Sequence, residues 1–225
     1  MNINIDKTEV LRYLGCQGQT ADEATERAVE EGISQLFAAA KPRYTYRVFE
    51  TEILSDCEEV RLNGSGVVLR GKDIVRHLAH SPKCALLGAT LGIEADNLIR
   101  VAQNTGMLKA VVLDACATDF IEKVCDEAEK EITALAEKEG YQTTFRYSPG
   151  YGDLPLEVQP AVCAALDTAR RIGVTVSDSL IMIPRKSVTA IIGFTTETAE
   201  RPSPCETCTM RETCEFRKRG TACGR

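Results

Sequence analysis

The sequence has no tryptophan, two histidines and few aromatics, which make up 5% of its 225 residues. Aromatics are nearly absent from the basic C-terminal stretch as well, where three glutamates are interspersed, which disfavours nucleic-acid binding there. No apolar run approaches the ~18 residues of a membrane span, so no membrane role is expected. The N-terminus lacks the basic-then-apolar layout of a secretion signal, and a cytoplasmic location is the expectation. Net charge is −6, with 27 Lys/Arg against 33 Asp/Glu, which disfavours general nucleic-acid binding. The hydrophobic share, 44%, suffices for a sizeable core.

Cysteine is the residue present in excess. Six of the ten (Cys16, Cys57, Cys84, Cys116, Cys125, Cys163) are scattered, mostly among apolar neighbours, and read as small core hydrophobes. The other four form Cys205-x2-Cys208-x5-Cys214-x8-Cys223. Residues 201–225 also hold six Lys/Arg against three Glu, a local +3 beside −9 for the rest. Two regions follow: a body over 1–198 and a Cys-rich tail over 199–225. Four thiolates can close a tetrahedral zinc site or hold an iron–sulfur cluster, and the basic neighbours Arg211, Arg217, Lys218 and Arg219 would stabilise them. A free reactive or disulfide-prone tail is the alternative.

Along the body, Thr20-Ala21-Asp22-Glu23 reads as a capping box opening a helix that Pro42 closes. A strand is expected over 44–50, and a hairpin over 60–62 and 67–69 around Asn63-Gly64-Ser65-Gly66. A short helix over 71–79 carries His77 and His80, for which a surface or capping role is expected. A buried strand over 84–90 and a helix over 93–103 follow. The apolar positions Leu108, Val112, Ala115, Ile121, Val124, Ala128, Ile132 and Leu135 predict a long helix from Met107 to about Lys138. Strands are expected over 142–147, 174–176, 180–183 and 186–194, with a helix over 156–172. Strands and helices interleave irregularly, an α+β or mixed α/β pattern.

The stretch richest in chemistry is Arg146-Tyr147-Ser148-Pro149-Gly150-Tyr151. Arg146 offers a planar fork for a carboxylate, Gly150 admits close approach of backbone to a ligand, and Tyr151 supplies an aromatic wall. An ordinary strand-to-helix turn with a surface arginine is the plainer reading. Leu87-Gly88-Ala89-Thr90-Leu91-Gly92 lacks the glycine order of a dinucleotide loop and reads as a packing turn.

Taken with Pro155, Thr168-Ala-Arg-Arg-Ile-Gly173, Ser179-Leu-Ile-Met-Ile-Pro184 and Ser187-Val188, the Arg-x-x-Pro-Gly-Tyr run resembles the activation (reactivation) domain of vitamin B12 (cobalamin)-dependent methionine synthase. The resemblance covers roughly residues 80–195 and is weaker upstream of the motif. It implies an α+β, C-shaped fold with a twisted antiparallel sheet flanked by helices, and a shallow groove for S-adenosylmethionine. It maps the carboxylate-binding arginine onto Arg146, backbone contacts onto Ser148 and Gly150, and the closing tyrosine onto Tyr151. An acidic residue of the long helix maps onto Asp119. The family's N-terminal aspartate has a faint counterpart in Ile5-Asp6-Lys7-Thr8.

Two departures stand out: Ser148 replaces an alanine, and the tyrosine pair after the last strand is missing. The homocysteine, folate and cobalamin modules are absent too, as is the Asp-x-His-x-x-Gly cobalamin pattern. The resemblance therefore implies a free-standing S-adenosylmethionine-binding subunit that supports reductive methylation of cob(II)alamin, a methyltransferase-associated activity in methionine biosynthesis. Its implied partners are a cobalamin-dependent methionine synthase core, or another corrinoid protein carrying the cobalamin, and a low-potential electron donor. No general base is needed, because the sulfonium already makes the methyl group electrophilic. The rival reading is a non-catalytic docking or cobalamin-chaperone module with a metal-binding tail.

Overall fold

The computed structural model describes residues 3–16 and 21–197, together with 212, 213 and 218. Asp6 opens a helix beyond those expected from the sequence, α1 (Lys7–Tyr13), its carboxylate accepting the Thr8 amide. Helix α2 (Glu23–Ala39) begins two residues later than the expected capping box. Its N-cap is Asp22, whose carboxylate takes the Thr25 amide at 2.7 Å, so the acid does the work assigned to the Thr20 hydroxyl.

Strand β1 (Arg43–Leu54) leads through a 3-10 turn at Ser55–Cys57 into the hairpin β2 (Glu59–Leu62) and β3 (Val67–Arg70). Its register pairs Leu62 with Val67 and Glu59 with Arg70, as the Asn-Gly-Ser-Gly separator predicts. Helix α3 (Lys72–Leu78), strand β4 (Lys83–Thr90), helix α4 (Ile93–Thr105) and the 32-residue α5 (Met107–Lys138) follow. Then come β5 (Gln142–Thr143), α6 (Gln159–Leu166), α7 (Thr168–Arg171), β6 (Thr175–Val176), β7 (Met182–Ile183) and β8 (Ser187–Thr195). The Ile183–Pro184 peptide bond is cis.

Six strands form one sheet in the order β3-β2-β1-β4-β8-β5, and β6 and β7 make a separate ribbon. The architecture is α+β, a twisted antiparallel sheet flanked by helices. Strands β4 and β8 are buried along nearly their whole length, which explains their continuous apolar runs. Among the described residues, no helix is long and apolar enough to cross a membrane.

Two expected elements come out shorter. The strand expected over 142–147 keeps ladder pairing at 142–143 and one isolated bridge, Tyr147 to Ile191. Between them the Thr144 amide still donates to the Gly193 carbonyl at 2.9 Å, but the Thr144 hydroxyl rather than a backbone carbonyl accepts the Gly193 amide at 2.8 Å, so a side chain supplies half of the pairing. The helix expected over 156–172 opens as a 3-10 turn and is cut at Asp167, whose φ of +53° takes the backbone out of the right-handed helical region.

The chain divides into two compact units. The first comprises Met1–Arg47, Leu87–Ile132 and Gln159–Thr189, the second Val48–Leu86, Thr133–Val158 and Ala190–Arg225. In the first, α2 packs on α5. Phe37 and Phe120 meet at 5.0 Å, and Gly32 lies so close to Val112 and Cys116 that a side chain there would crowd them. Buried Gln159 and Thr189 exchange hydrogen bonds at 2.8 and 3.0 Å, and half-buried Asp96 accepts the Lys186 amide at 3.2 Å. In the second, Leu69, Ile74, Leu78 and Leu154 are fully or almost fully buried.

Of the six scattered cysteines, Cys84, Cys116, Cys125 and Cys163 are core residues. Burial pushes the Cys84 and Cys116 thiols up to about 12, so both stay protonated and inert. Cys57 differs from expectation: it is exposed on the 3-10 turn, and Cys16 is half-buried.

Candidate functional site

The segment after α5 is built as a short extended arm ending in two interlocked turns, all within the second unit. Tyr147 exchanges backbone hydrogen bonds with Ile191, its amide donating at 2.9 Å and its carbonyl accepting at 2.7 Å. Along this arm the Phe145 and Tyr147 rings both meet the His77 ring, with centroids at 4.5 and 5.0 Å. Arg146 stands between them in sequence and is half-buried.

The first turn spans Ser148 to Tyr151, closed by the Tyr151 amide donating to the Ser148 carbonyl at 3.0 Å. Pro149 and Gly150 occupy its centre, and Gly150 has a φ of +88°, the conformation that makes Pro-Gly a favoured pair for such a turn. The second turn follows without a break. The Leu154 amide donates to the Tyr151 carbonyl at 3.0 Å, and the Gly150 amide donates back to the Leu154 carbonyl at 2.9 Å. Asp153 ties the pair of turns to α3, accepting the Lys72 and Asp73 amides at 2.7 and 3.1 Å. These amides sit at the helix start, where a carboxylate is favoured.

On this frame Tyr151 projects outward with 56% of its surface exposed, beside exposed Leu156. Its ring stands edge-on to Tyr147, at 5.9 Å and 68°. The Tyr147 hydroxyl donates to the Tyr151 carbonyl at 3.1 Å. Burial, followed by the Asp73 and Asp153 carboxylates, pushes that phenol up to about 12 and keeps it a donor. Ser148, Gly150 and Tyr151 thus sit on one braced double turn, and Arg146 lies on the extended arm that leads into it.

Asp119 belongs to the first unit. It lies on α5, 3% exposed, and its carboxylate accepts the Asp6 amide at 2.8 Å. Burial raises its pKa, with the Asp6 amide and then Lys123 acting against that shift. The tail cysteines Cys205, Cys208, Cys214 and Cys223 lie outside the described residues. Among the described residues, no group of three or more His, Cys, Asp or Glu could hold a metal ion.

Sequence reasoning missed the bracing. His77, expected at the surface, is instead enclosed by Phe145 and Tyr147, with Nε2 2.9 Å from the Thr144 hydroxyl. His80 is exposed as expected, 3.4 Å from Glu197. Tyr147 and Asp153 carried no pattern of their own, since their partners are brought in by the fold.

Neither a family model nor a curated protein matches the sequence. Among solved structures the chain aligns with the crystal structure of the MetH reactivation domain bound to AdoHcy, with a TM-score of 0.67. The alignment covers 97% of this chain and 82% of that one, at 14% identity. The fold is the reactivation-domain fold. That likeness covers 97% of the chain, more than the motif-based resemblance over residues 80–195. At 14% identity it speaks for the reactivation-domain architecture alone.

Proposed function

We propose that this protein binds S-adenosylmethionine on the Arg146–Tyr151 double turn and serves as the activation subunit of a cobalamin-dependent methionine synthase or another corrinoid protein. The observation that carries the proposal is the turn itself. Three of the four residues that the resemblance assigns to ligand binding sit on one hydrogen-bonded frame with the tyrosine in solvent, and the fourth, Arg146, is on the arm that enters it, in a fold whose solved counterpart was crystallised with AdoHcy. AdoHcy is what S-adenosylmethionine becomes when it gives up its methyl group.

In this reading the Arg146 guanidinium pairs with the amino-acid carboxylate, a charge-assisted contact suited to its planar fork. Backbone groups of Ser148 and Gly150 approach the ligand, and Tyr151 walls it. The protein supplies no acid or base. The partner's cob(II)alamin, once reduced by one electron from a low-potential donor, would accept the methyl group from the sulfonium that this chain holds in place, leaving S-adenosylhomocysteine as the product. At the double turn this chain contributes positioning. The tail's four thiolates are proposed to hold zinc or an iron–sulfur cluster, and a cluster would place an electron relay on the activator itself.

Calorimetric titration with S-adenosylmethionine tests the reading, run beside Arg146→Ala. Loss of a charged hydrogen-bond partner weakens binding by about 1.5–3 kcal/mol, at least roughly tenfold. Saturable binding that collapses in the variant supports the activator and leads to an assay of cob(II)alamin methylation. No binding at millimolar ligand, with or without a corrinoid partner, overturns it in favour of a docking or cobalamin-chaperone module.

A further inference from the structure

We propose that Tyr147 is the positioning residue of this site: its hydroxyl, bonded to the Tyr151 carbonyl, holds the Tyr151 ring in its ligand-facing pose. The inference rests on the reading of Arg146–Tyr151 as the S-adenosylmethionine clamp.

Tyr151 is more than half exposed, so packing alone cannot hold it. Its backbone is held from two directions. The Leu154 amide donates to its carbonyl at 3.0 Å from within the turn, and the Tyr147 hydroxyl donates to the same oxygen at 3.1 Å from the arm below. The first bond merely closes a four-residue loop. The second links the loop to the sheet, because Tyr147 is itself fastened to Ile191 of β8 by both of its backbone groups. The Tyr147 ring adds an edge-on contact to Tyr151 and is wedged in turn by His77 and Phe145. The hydroxyl's surroundings leave no slack. A methyl group at Gly152 would run into both the Tyr147 oxygen and the Asp73 carboxylate. One phenol therefore joins the exposed aromatic wall to the sheet, and it sits next to the arginine that is to fix the other end of the ligand.

Tyr147→Phe removes the hydroxyl and keeps the ring against His77 and Phe145, so the fold survives. Two measurements decide the matter. The first needs no ligand: amide hydrogen exchange in the free protein. Loss of the tether is expected to speed exchange at Tyr151 and Leu154 by roughly tenfold, with α5 and β8 unchanged. Equal exchange in both proteins overturns the proposal. The second is a double-mutant cycle read by S-adenosylmethionine titration. Tyr147→Phe is expected to weaken binding about fivefold in the wild-type background. In a Tyr151→Ala background the same change is expected to cost less than about twofold, because it acts through the ring already removed. A general structural role would weaken binding equally in both backgrounds, which would overturn the positioning role. If the wild type binds no S-adenosylmethionine, the proposed function fails, while the exchange comparison still decides whether Tyr147 tethers the turn.

Discussion

The backbone amide of Asp6 donates to the carboxylate of Asp119 at 2.8 Å, joining the start of the chain to the middle of its longest helix across 113 residues. Asp6 serves two ends at once. Its own carboxylate caps α1 through the Thr8 amide, while its amide satisfies an acid that is almost wholly buried. Lys7 adds a further tie to α2 through Glu30 at 2.5 Å. The N-terminal segment is thereby docked on the first unit through its polar groups, with Ile5 and Val10 buried beneath it.

Removing the Asp119 carboxylate therefore acts first on the N-terminal helix. Asp119→Ala leaves the Asp6 amide without its acceptor at a buried site, at a cost of about 1–3 kcal/mol in urea or guanidinium unfolding. Amide exchange in α1 should accelerate more than exchange in α5. Unchanged unfolding and exchange would show that the bond contributes nothing to holding the segment.

His77 predicts how stability responds to acid. Burial holds its pKa at about 4 in the folded chain, against 6.5 for an unhindered imidazole, with the Phe145 backbone pulling weakly the other way. Between these two values the unfolded chain takes up a proton that the folded chain refuses. Its contribution to stability is thus fully present above pH 6.5 and is lost as pH falls toward 4. The shift corresponds to a loss on the order of 3 kcal/mol over that window. Unfolding free energies of wild type and His77→Gln, measured from pH 7 to 4, should converge or cross as pH falls. Parallel curves would show that His77 titrates normally.

What was legible in the sequence were the elements with strong local signals. Helix α5 is Met107–Lys138 as its apolar spacing predicts, and the β2–β3 hairpin follows its Asn-Gly-Ser-Gly separator. The motif Arg146–Tyr151 was visible as a turn because Pro149 and Gly150 dictate one. Elements decided by distant partners were not legible. Helix α1 carries only a short start signal, Asp6 with Glu9 three residues on, and its docking involves Asp119, while nothing near Thr144 shows that its hydroxyl will displace a ladder bond to Gly193. His77 read as a surface residue because its enclosing rings, Phe145 and Tyr147, lie some seventy positions further on.

The tail makes a prediction that is independent of the double turn. Protein purified without oxygen should contain bound metal that disappears in Cys205→Ser/Cys208→Ser, since two of the four thiolates are then missing. Visible absorption that bleaches with dithionite identifies an iron–sulfur cluster, whereas a colourless protein with one zinc per chain identifies a structural site. S-adenosylmethionine affinity should be the same in the variant and the wild type, because none of the four cysteines belongs to the Arg146–Tyr151 turn. Metal-free wild-type protein would overturn the four-thiolate reading and leave the tail as a free thiol segment.

Gly152 tests whether the double turn is as rigid as its hydrogen bonds imply. Its φ of +51° lies in the left-handed region that residues with a Cβ adopt at a cost of about 1–2 kcal/mol. The added methyl would also press on the Tyr147 hydroxyl and lie 2.5 Å from an Asp73 oxygen, so one group must move. Moving Tyr147 breaks its bond to the Tyr151 carbonyl; moving Asp73 disturbs the α3 start that Asp153 caps. Gly152→Ala should therefore destabilise by at least about 2 kcal/mol in chemical unfolding, more than the backbone conformation alone explains. Adding Tyr147→Phe to Gly152→Ala should recover part of that loss, since deleting the hydroxyl makes room for the methyl. A double variant no more stable than Gly152→Ala alone would place the clash entirely on Asp73.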